Sequence, residues 1–278
     1  MRTLVHLSDL HFGRVDETLL DPLREFVHNA APDVVVVSGD LTQRAKSEQF
    51  AAARAWLDTL PEPQIVVPGN HDISLYNVFR RFVHPLKRYR HHITEDLSPI
   101  YVDDEIAILG VNTARSLTFK DGRVNEEQIA HIRAQLDGLE PGITRIVVTH
   151  HPFDLPEHGD EGDLVGRAQL AMQAFAKGGV DVLMAGHLHA SHAGSTAERY
   201  QIEDYAALVI QAGTATSTRG RGEVNSFNVV RVEAAHVEVD RYGWDVIHKQ
   251  FALMSTEKFI RSANVWTEHN DGLYAAGL

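Results

Sequence analysis

The sequence predicts an α/β fold, with helices layered on a sheet. Three observations carry that prediction. Val34-Val35-Val36-Val37 puts four β-branched residues in a row, as expected of a strand buried on both faces. Strand-like apolar runs alternate with stretches of helical periodicity across the first 70 residues. Each of those apolar runs stops at a polar or glycine-containing turn, such as Ser38-Gly39-Asp40 or Pro68-Gly69-Asn70.

The elements follow in order. Residues 3–7 form a short apolar strand that ends in Ser8-Asp9-Leu10-His11. Residues 17–30 carry Leu19, Leu20, Leu23, Phe26 and Val27 on one helical stripe. After the valine strand, residues 47–60 repeat the pattern with Phe50, Ala53, Trp56 and Leu57, and 64–67 is the third strand. Residues 73–99 break the rhythm, and a basic run over 80–92 crowds arginine, lysine and histidine into a few turns. A charged run of this kind most often solvates a helix face, although it also suits a polyanion.

Strands are expected at 100–102 and 106–111, joined through Asp103-Asp104-Glu105. Residues 125–136 read as a helix with Asn125 as N-cap and Gln128 three residues on. A strand over 145–149 ends in His150-His151-Pro152, and the acidic, glycine-rich stretch 154–166 reads as a loop. Residues 169–177 form a helix stopped by Gly178-Gly179, and 182–184 is a strand that ends in Gly186-His187-Leu188-His189. Beyond 190, strands at 208–211, 226–232 and 237–242 are expected to run antiparallel and build a second sheet against the first. Residues 249–278 read as a mixed tail outside a catalytic domain of residues 1–248 and a candidate contact between subunits of a homo-oligomer.

Composition narrows the function. With no cysteine, the chain holds no disulfide, iron–sulfur cluster, thiolate zinc site or cysteine nucleophile. A formal net charge of −12 argues against a stable nucleic-acid partner, because such binding is driven by phosphate neutralisation. The opening residues are too soon polar for a signal peptide, and no stretch approaches the length of a membrane span, so a cytoplasmic location is expected. The 17 histidines matter by position more than by number.

Five strand ends carry Asp9/His11, Asp40, Asn70/His71, His150 and His187/His189. In an open α/β sheet such ends share one edge, where ligands bind. Imidazole and carboxylate together suit divalent manganese, iron or zinc, and a carboxylate such as Asp40 at that edge needs a positive partner. Taken in order, Asp9-x-His11, Gly39-Asp40, Gly69-Asn70-His71-Asp72, His150-x-Pro152 and Gly186-His187-x-His189 resemble the signature of the calcineurin-like metallophosphoesterases. Within that superfamily the chain is most similar to bacterial class III cyclic nucleotide phosphodiesterases and their glycerophosphodiesterase relatives.

The resemblance implies a four-layer α/β/β/α sandwich of two mixed sheets flanked by helices. It also implies two divalent ions. Asp9, His11 and His189 would hold the first, Asn70, His150 and His187 the second, and Asp40 would bridge them. The implied reaction is hydrolysis of a small phosphodiester, a 3′,5′-cyclic nucleotide first, by a hydroxide bridging the metals. A glycerophosphodiesterase or phosphomonoesterase on the same site, and a metal-stabilised binding protein without turnover, are the alternatives.

His71 is the motif histidine not needed as a ligand and is assigned to the leaving-group oxygen as acid or hydrogen-bond donor. Gln43 stands where protein phosphatases of the superfamily carry an aspartate that orients this histidine, which argues against a protein phosphatase. Asn112, Arg115 and His192 are candidates to meet the substrate, as are Arg219 and Arg221 among their glycines. His151 reads as a supporting neighbour of His150.

Overall fold

A computed structural model of the chain describes residues 1–74, 83–115, 121–156, 159–219 and 222–269. Two sheets face one another. The first contains β1 (Arg2–Leu7), β2 (Val34–Val37) and β3 (Gln64–Val66), then β10 (Ser226–Glu233), β11 (His236–Asp245), β12 (Gln250–Ser262) and β13 (Val265–Glu268), in the order β13-β12-β11-β10-β1-β2-β3. The second contains β4 (Ile100–Val102), β5 (Ile106–Gly110), β6 (Thr144–Val148), β7 (Val182–Ala185), β8 (His192–Ser195) and β9 (Leu208–Gln211), in the order β4-β5-β6-β7-β9-β8. Helices α1 (Leu20–Ala30) and α2 (Ser47–Leu57), with the shorter α3 (Lys87–His92), cover the first sheet. Helices α4 (Glu126–Asp137) and α5 (Ala168–Gly178) cover the second, which gives the expected four layers.

The valine run shows why the sheet must be covered twice. Strand side chains alternate between faces. Val34 and Val36 enter the core between the sheets with Ile108, Ile146 and Val148. Val35 and Val37 pack outward against Leu23, Phe50 and Ala53 of the helical layer. All four are fully buried, each worth about 1.5–3 kcal/mol relative to exposure. In the helical layer, α4 starts with the expected reciprocal cap: the Gln128 amide donates to Asn125 Oδ1 at 2.7 Å, and the Asn125 amide to Gln128 Oε1 at 3.1 Å. Gly179 ends α5 at φ +62°, a left-handed position that glycine takes without cost.

The late strands depart from expectation. They do not form a second sheet of their own. β10 pairs antiparallel with β1, and β11, β12 and β13 extend from it, while β9 pairs parallel with β7. The edge of β1 opposite β2 was open, and β10 closes it with Val230 and Val232 facing the inter-sheet core and Val229 the outer one. The segment after 249, expected as a mixed tail, is sheet through Glu268. β12 is a 13-residue strand that buries Phe251 and Phe259 and exposes most of its remaining side chains, so its alternation is weak in sequence. Residues 270–278 lie outside the described residues.

Within the described part of the basic run, α3 buries Tyr89, with Leu86 buried just before it, and the Tyr89 hydroxyl donates to the Val66 carbonyl at 3.0 Å. Residues 80–82 of that run lie outside the described residues. Among the described residues, no helix is long and apolar enough to cross a membrane.

Candidate metal centre

β1, β2 and β3 are parallel neighbours in the first sheet, and β6 and β7 are parallel neighbours in the second. Their carboxyl ends therefore gather Asp9 and His11, Asp40, Asn70 and His71, His150, and His187 and His189 from positions up to 180 residues apart. Asp9, His11, Asp40, His150, His187 and His189 are all buried. The local backbone is unusual. Asp9 (φ 53°), His11 (51°), Asp40 (54°), His187 (72°) and His189 (58°) all adopt the left-handed conformation. Non-glycine residues rarely take it, and such strain persists only where the surroundings hold it. Here it turns each donor away from its strand and into a common space. The motif glycines permit the close approach: a β-carbon on Gly69 would collide with Asp40, and one on Gly186 with Ser8 and Asp9.

The donors meet in two overlapping groups. In one, Asp9 Oδ1 lies 3.1 Å from His189 Nε2 and 3.4 Å from His11 Nε2, and the two imidazole nitrogens are 3.4 Å apart. In the other, His150 Nε2 lies 3.1 Å from Asn70 Oδ1, 3.3 Å from His187 Nδ1 and 3.5 Å from Asp40 Oδ2. Asp40 Oδ2 is also 3.7 Å from His11 Nε2, so this carboxylate joins the groups. One ring nitrogen cannot satisfy three partners with a single proton, whereas a cation among them can. Asp9 Oδ1 is buried and accepts no hydrogen bond. An orphaned carboxylate oxygen beside two imidazole nitrogens is the arrangement a divalent ion would complete. The donor set thus fits two ions, with Asp9, His11, Asp40, Asn70, His150, His187 and His189 as the residues that could hold them.

The shell around these donors fixes their orientation. Asp9 Oδ2 accepts from Ser8 Oγ at 2.6 Å and from the His187 amide at 3.1 Å. His150 Nδ1 donates to the Ser38 carbonyl at 2.8 Å, which leaves Nε2 facing the cluster. Burial alone would raise the carboxyls of Asp9 and Asp40, but the neighbouring imidazoles outweigh it and hold both well below the usual carboxylate range. Burial would likewise lower His150, yet Asp40 outweighs it and pushes that imidazole up to about 9. Asp72 plays a structural part. It is buried, and its carboxylate accepts from the amides of Leu41, Thr42 and Gly69 at 2.9–3.1 Å, pinning the two motif loops together. Burial, with Asp40 nearby, pushes it up to about 6.

His71 sits at the rim of the cluster, half-buried. Its amide donates to Asp40 Oδ1 at 2.8 Å, and its ring stands edge-on to His11 with centroids 5.0 Å apart. Its Nδ1 lies 3.0 Å from the Gln43 carbonyl and its Nε2 2.9 Å from Arg219 Nη1. Gln43 thus orients the ring through its backbone carbonyl, with its side-chain Nε2 a longer 3.4 Å from the same Nδ1, but it supplies no charge. Burial keeps the His71 imidazole below its ordinary value.

The three substrate candidates stand outside the cluster. Asn112 Oδ1 accepts from the Ala114 amide at 2.9 Å, and Arg115 donates to the carbonyls of Asn112 and Ala114 and to Gln128. Both line a cavity of about 650 Å³ that also touches Ile73, next to the Asn70–Asp72 turn. His192 opens β8 and lines a small, separate pocket with Gln211 and Asn228. Arg221 lies outside the described residues.

Two further residues support the cluster, His151 as its sequence position suggested and Asp163, which sequence reasoning missed. His151 is fully buried, 4.6 Å ring to ring from His187, and its Nδ1 is 2.8 Å from Thr113 Oγ1. Asp163, in the acidic stretch expected to be a loop, is buried with Oδ1 3.7 Å from His187 Nε2. Its only sequence signal was an aspartate among others. A carboxylate behind a metal-ligating histidine sets its tautomer and basicity, and losing one typically costs 10–100-fold in metal affinity. Asp163→Ala is accordingly expected to weaken divalent-metal binding about 10- to 100-fold, measured by competition with a chelating dye. Unchanged affinity would mean that His187 is oriented by its other neighbours alone.

Comparison with known proteins agrees with this geometry. Residues 2–191 match the family model for calcineurin-like phosphoesterases. The chain is 26% identical over 163 residues to the glycerophosphodiester phosphodiesterase GpdQ of Enterobacter lignolyticus, covering 55% of this chain and 58% of that one. It is 28% identical over 211 residues to a probable cyclic nucleotide phosphodiesterase of Rhodococcus erythropolis, covering 68% and 65%. The chain thus spans 58% and 65% of the length of these curated relatives. Among solved structures, a purple acid phosphatase from yellow lupin superposes with a TM-score of 0.69 at 12% identity, covering 92% of this chain and 53% of that one. A dimetal phosphatase from Danio rerio superposes with a TM-score of 0.66 at 13% identity, covering 91% and 98%. At that identity the likeness is one of fold.

Proposed function

This chain belongs to the calcineurin-like phosphoesterase family, and on that premise we propose that it is a dinuclear metal-dependent phosphodiesterase for small diesters, with a 3′,5′-cyclic nucleotide favoured. The observation that carries the reading is the meeting of two donor groups at one carboxylate, Asp40, within 3.5–3.7 Å of a histidine from each. When bound, two divalent cations supply Lewis-acid stabilisation of phosphoryl oxygens and a hydroxide nucleophile near neutral pH. Manganese, iron and zinc all suit the donors.

The chain's own residues do the positioning. Asp9, His11 and His189 would hold one cation and Asn70, His150 and His187 the other, with Asp40 shared. Ser8, Ser38 and Asp163 keep carboxylate and ring orientations constant through a reaction cycle. The His71 amide locks Asp40 from the open side of the cluster. Their burial excludes bulk water, which strengthens every charge interaction at the reacting phosphorus.

The cyclic nucleotide reading is favoured by the relative from Rhodococcus erythropolis, whose match extends over 68% of this chain. The similarity to GpdQ supports glycerophosphodiesters as the second reading. Turnover of 3′,5′-cyclic AMP, 2′,3′-cyclic AMP, glycerophosphoethanolamine and bis-(p-nitrophenyl) phosphate, each with manganese, iron and zinc, is the test. The expected result is metal-dependent hydrolysis with cyclic AMP preferred. Preference for the glycerol diester would select the second reading, and metal binding with no hydrolysis of any diester would leave a non-catalytic binding protein.

A further inference from the structure

We propose that Arg219 is the residue that grips the phosphoryl oxygens of the substrate, and that His71 is a positioning residue holding its guanidinium in place. The proposal rests on the reading of the centre as a phosphodiesterase. It departs from the sequence-based assignment of His71 as the donor to the leaving group.

The hydrogen bonds of the His71 ring decide the matter. A carbonyl only accepts, so His71 Nδ1, 3.0 Å from the Gln43 oxygen and a longer 3.4 Å from the Gln43 side-chain Nε2, carries the proton and donates to the carbonyl. A guanidinium only donates, so His71 Nε2, 2.9 Å from Arg219 Nη1, accepts. The nitrogen on the Arg219 side is therefore committed as an acceptor and has no proton to offer a leaving oxygen. The donor presented beside it is the arginine. A guanidinium remains charged at any working pH and offers a planar fork of N–H groups matched to phosphate oxygens.

Arg219 is also built into the site through its backbone. Its carbonyl lies 3.3 Å from His189 Nδ1, so the residue contacts a candidate metal ligand and the rim histidine at once. With Nδ1 donating there, His189 keeps Nε2 for the Asp9 side of the cluster. The loop is tied down. The Arg219 amide donates to Ser217 Oγ at 3.1 Å, the Thr218 amide to the Arg14 carbonyl at 2.9 Å, and Asn225 Nδ2 to the Ser217 carbonyl at 2.9 Å. These tethers join the loop to the segment just after His11, and the contact with His71 Nε2 keeps the guanidinium at the rim. A phosphodiester anion arriving beside the Asp9 and Asp40 carboxylates gains from a fixed positive charge on that side.

The test uses the full-length protein loaded with manganese, with inorganic phosphate as the probe and calorimetry as the readout, beside kcat/KM for the hydrolysed diester. Arg219→Ala is expected to weaken phosphate binding at least about tenfold and lower kcat/KM about 10²-fold. Arg219→Lys should restore part of both, since it keeps the charge but not the fork. Manganese content should be unchanged in both variants, because the contact to His189 is made by the backbone. Phosphate affinity within twofold of wild type in Arg219→Ala overturns the proposal, as does loss of manganese, which would mean that the residue acts through His189. Weakened phosphate binding in a protein whose wild type hydrolyses none of the diesters would uphold the anion contact and refute the phosphodiesterase reading instead.

Discussion

Asp40→Ala is expected to lose both cations and diester hydrolysis together, with turnover reduced about 10³-fold or more even in excess manganese. Asp40 is the group both donor sets share, 3.5 Å from His150 Nε2 and 3.7 Å from His11 Nε2. Removing it takes one negative charge from between the two positions and strands the His71 amide, which donates to its Oδ1. Asp40→Asn separates charge from shape. The amide oxygen can still accept from His71, so the loop should keep its conformation, while the lost charge should still cost metal. Elemental analysis after dialysis, beside turnover in added manganese, reads both effects. Full occupancy at both positions in Asp40→Asn would show that Asp40 is not the shared ligand.

His71→Ala has the second largest expected effect, and a different signature: both cations retained, kcat/KM lower by about 10²-fold. Metal retention is expected because the contact of His71 with Asp40 is made by its backbone amide, which alanine keeps. The kinetic loss is expected through Arg219, whose guanidinium loses the His71 ring nitrogen that it contacts at 2.9 Å. Residues acting as a unit are not additive. The double variant His71→Ala/Arg219→Ala should therefore be little worse than either single one. A full additive loss would make the two residues independent and return His71 to a direct role at the leaving group. Metal loss from His71→Ala would make it a ligand or a structural support.

Much of this was legible in the chain, for a physical reason. Strand interiors are dictated by burial, and a four-valine run has few alternatives to a doubly covered strand, as the split of Val34 and Val36 from Val35 and Val37 between two cores bears out. The donor motifs were legible because each follows a strand end at short range, where a turn and its polar residues are neighbours in sequence. The placement of the late strands was not. Which open edge a strand joins depends on what else competes for it, and nothing local to residues 226–232 names β1 as the partner. β12 was hidden because its exposed positions mix Leu253 and Met254 with Gln250, Thr256 and Lys258, so its apolar residues do not alternate cleanly.

The same division runs through the site. Residue types and spacing alone were enough to determine which donors are available and that they stand at strand ends, because local sequence controls where a strand stops. Only the tertiary structure decided that Asp163 stands behind His187 and that His71 accepts from Arg219, 148 residues away. Contacts of that kind arise when separate loops are packed into one volume, and the energy that selects them, shared among many residues, leaves no local mark on any of them.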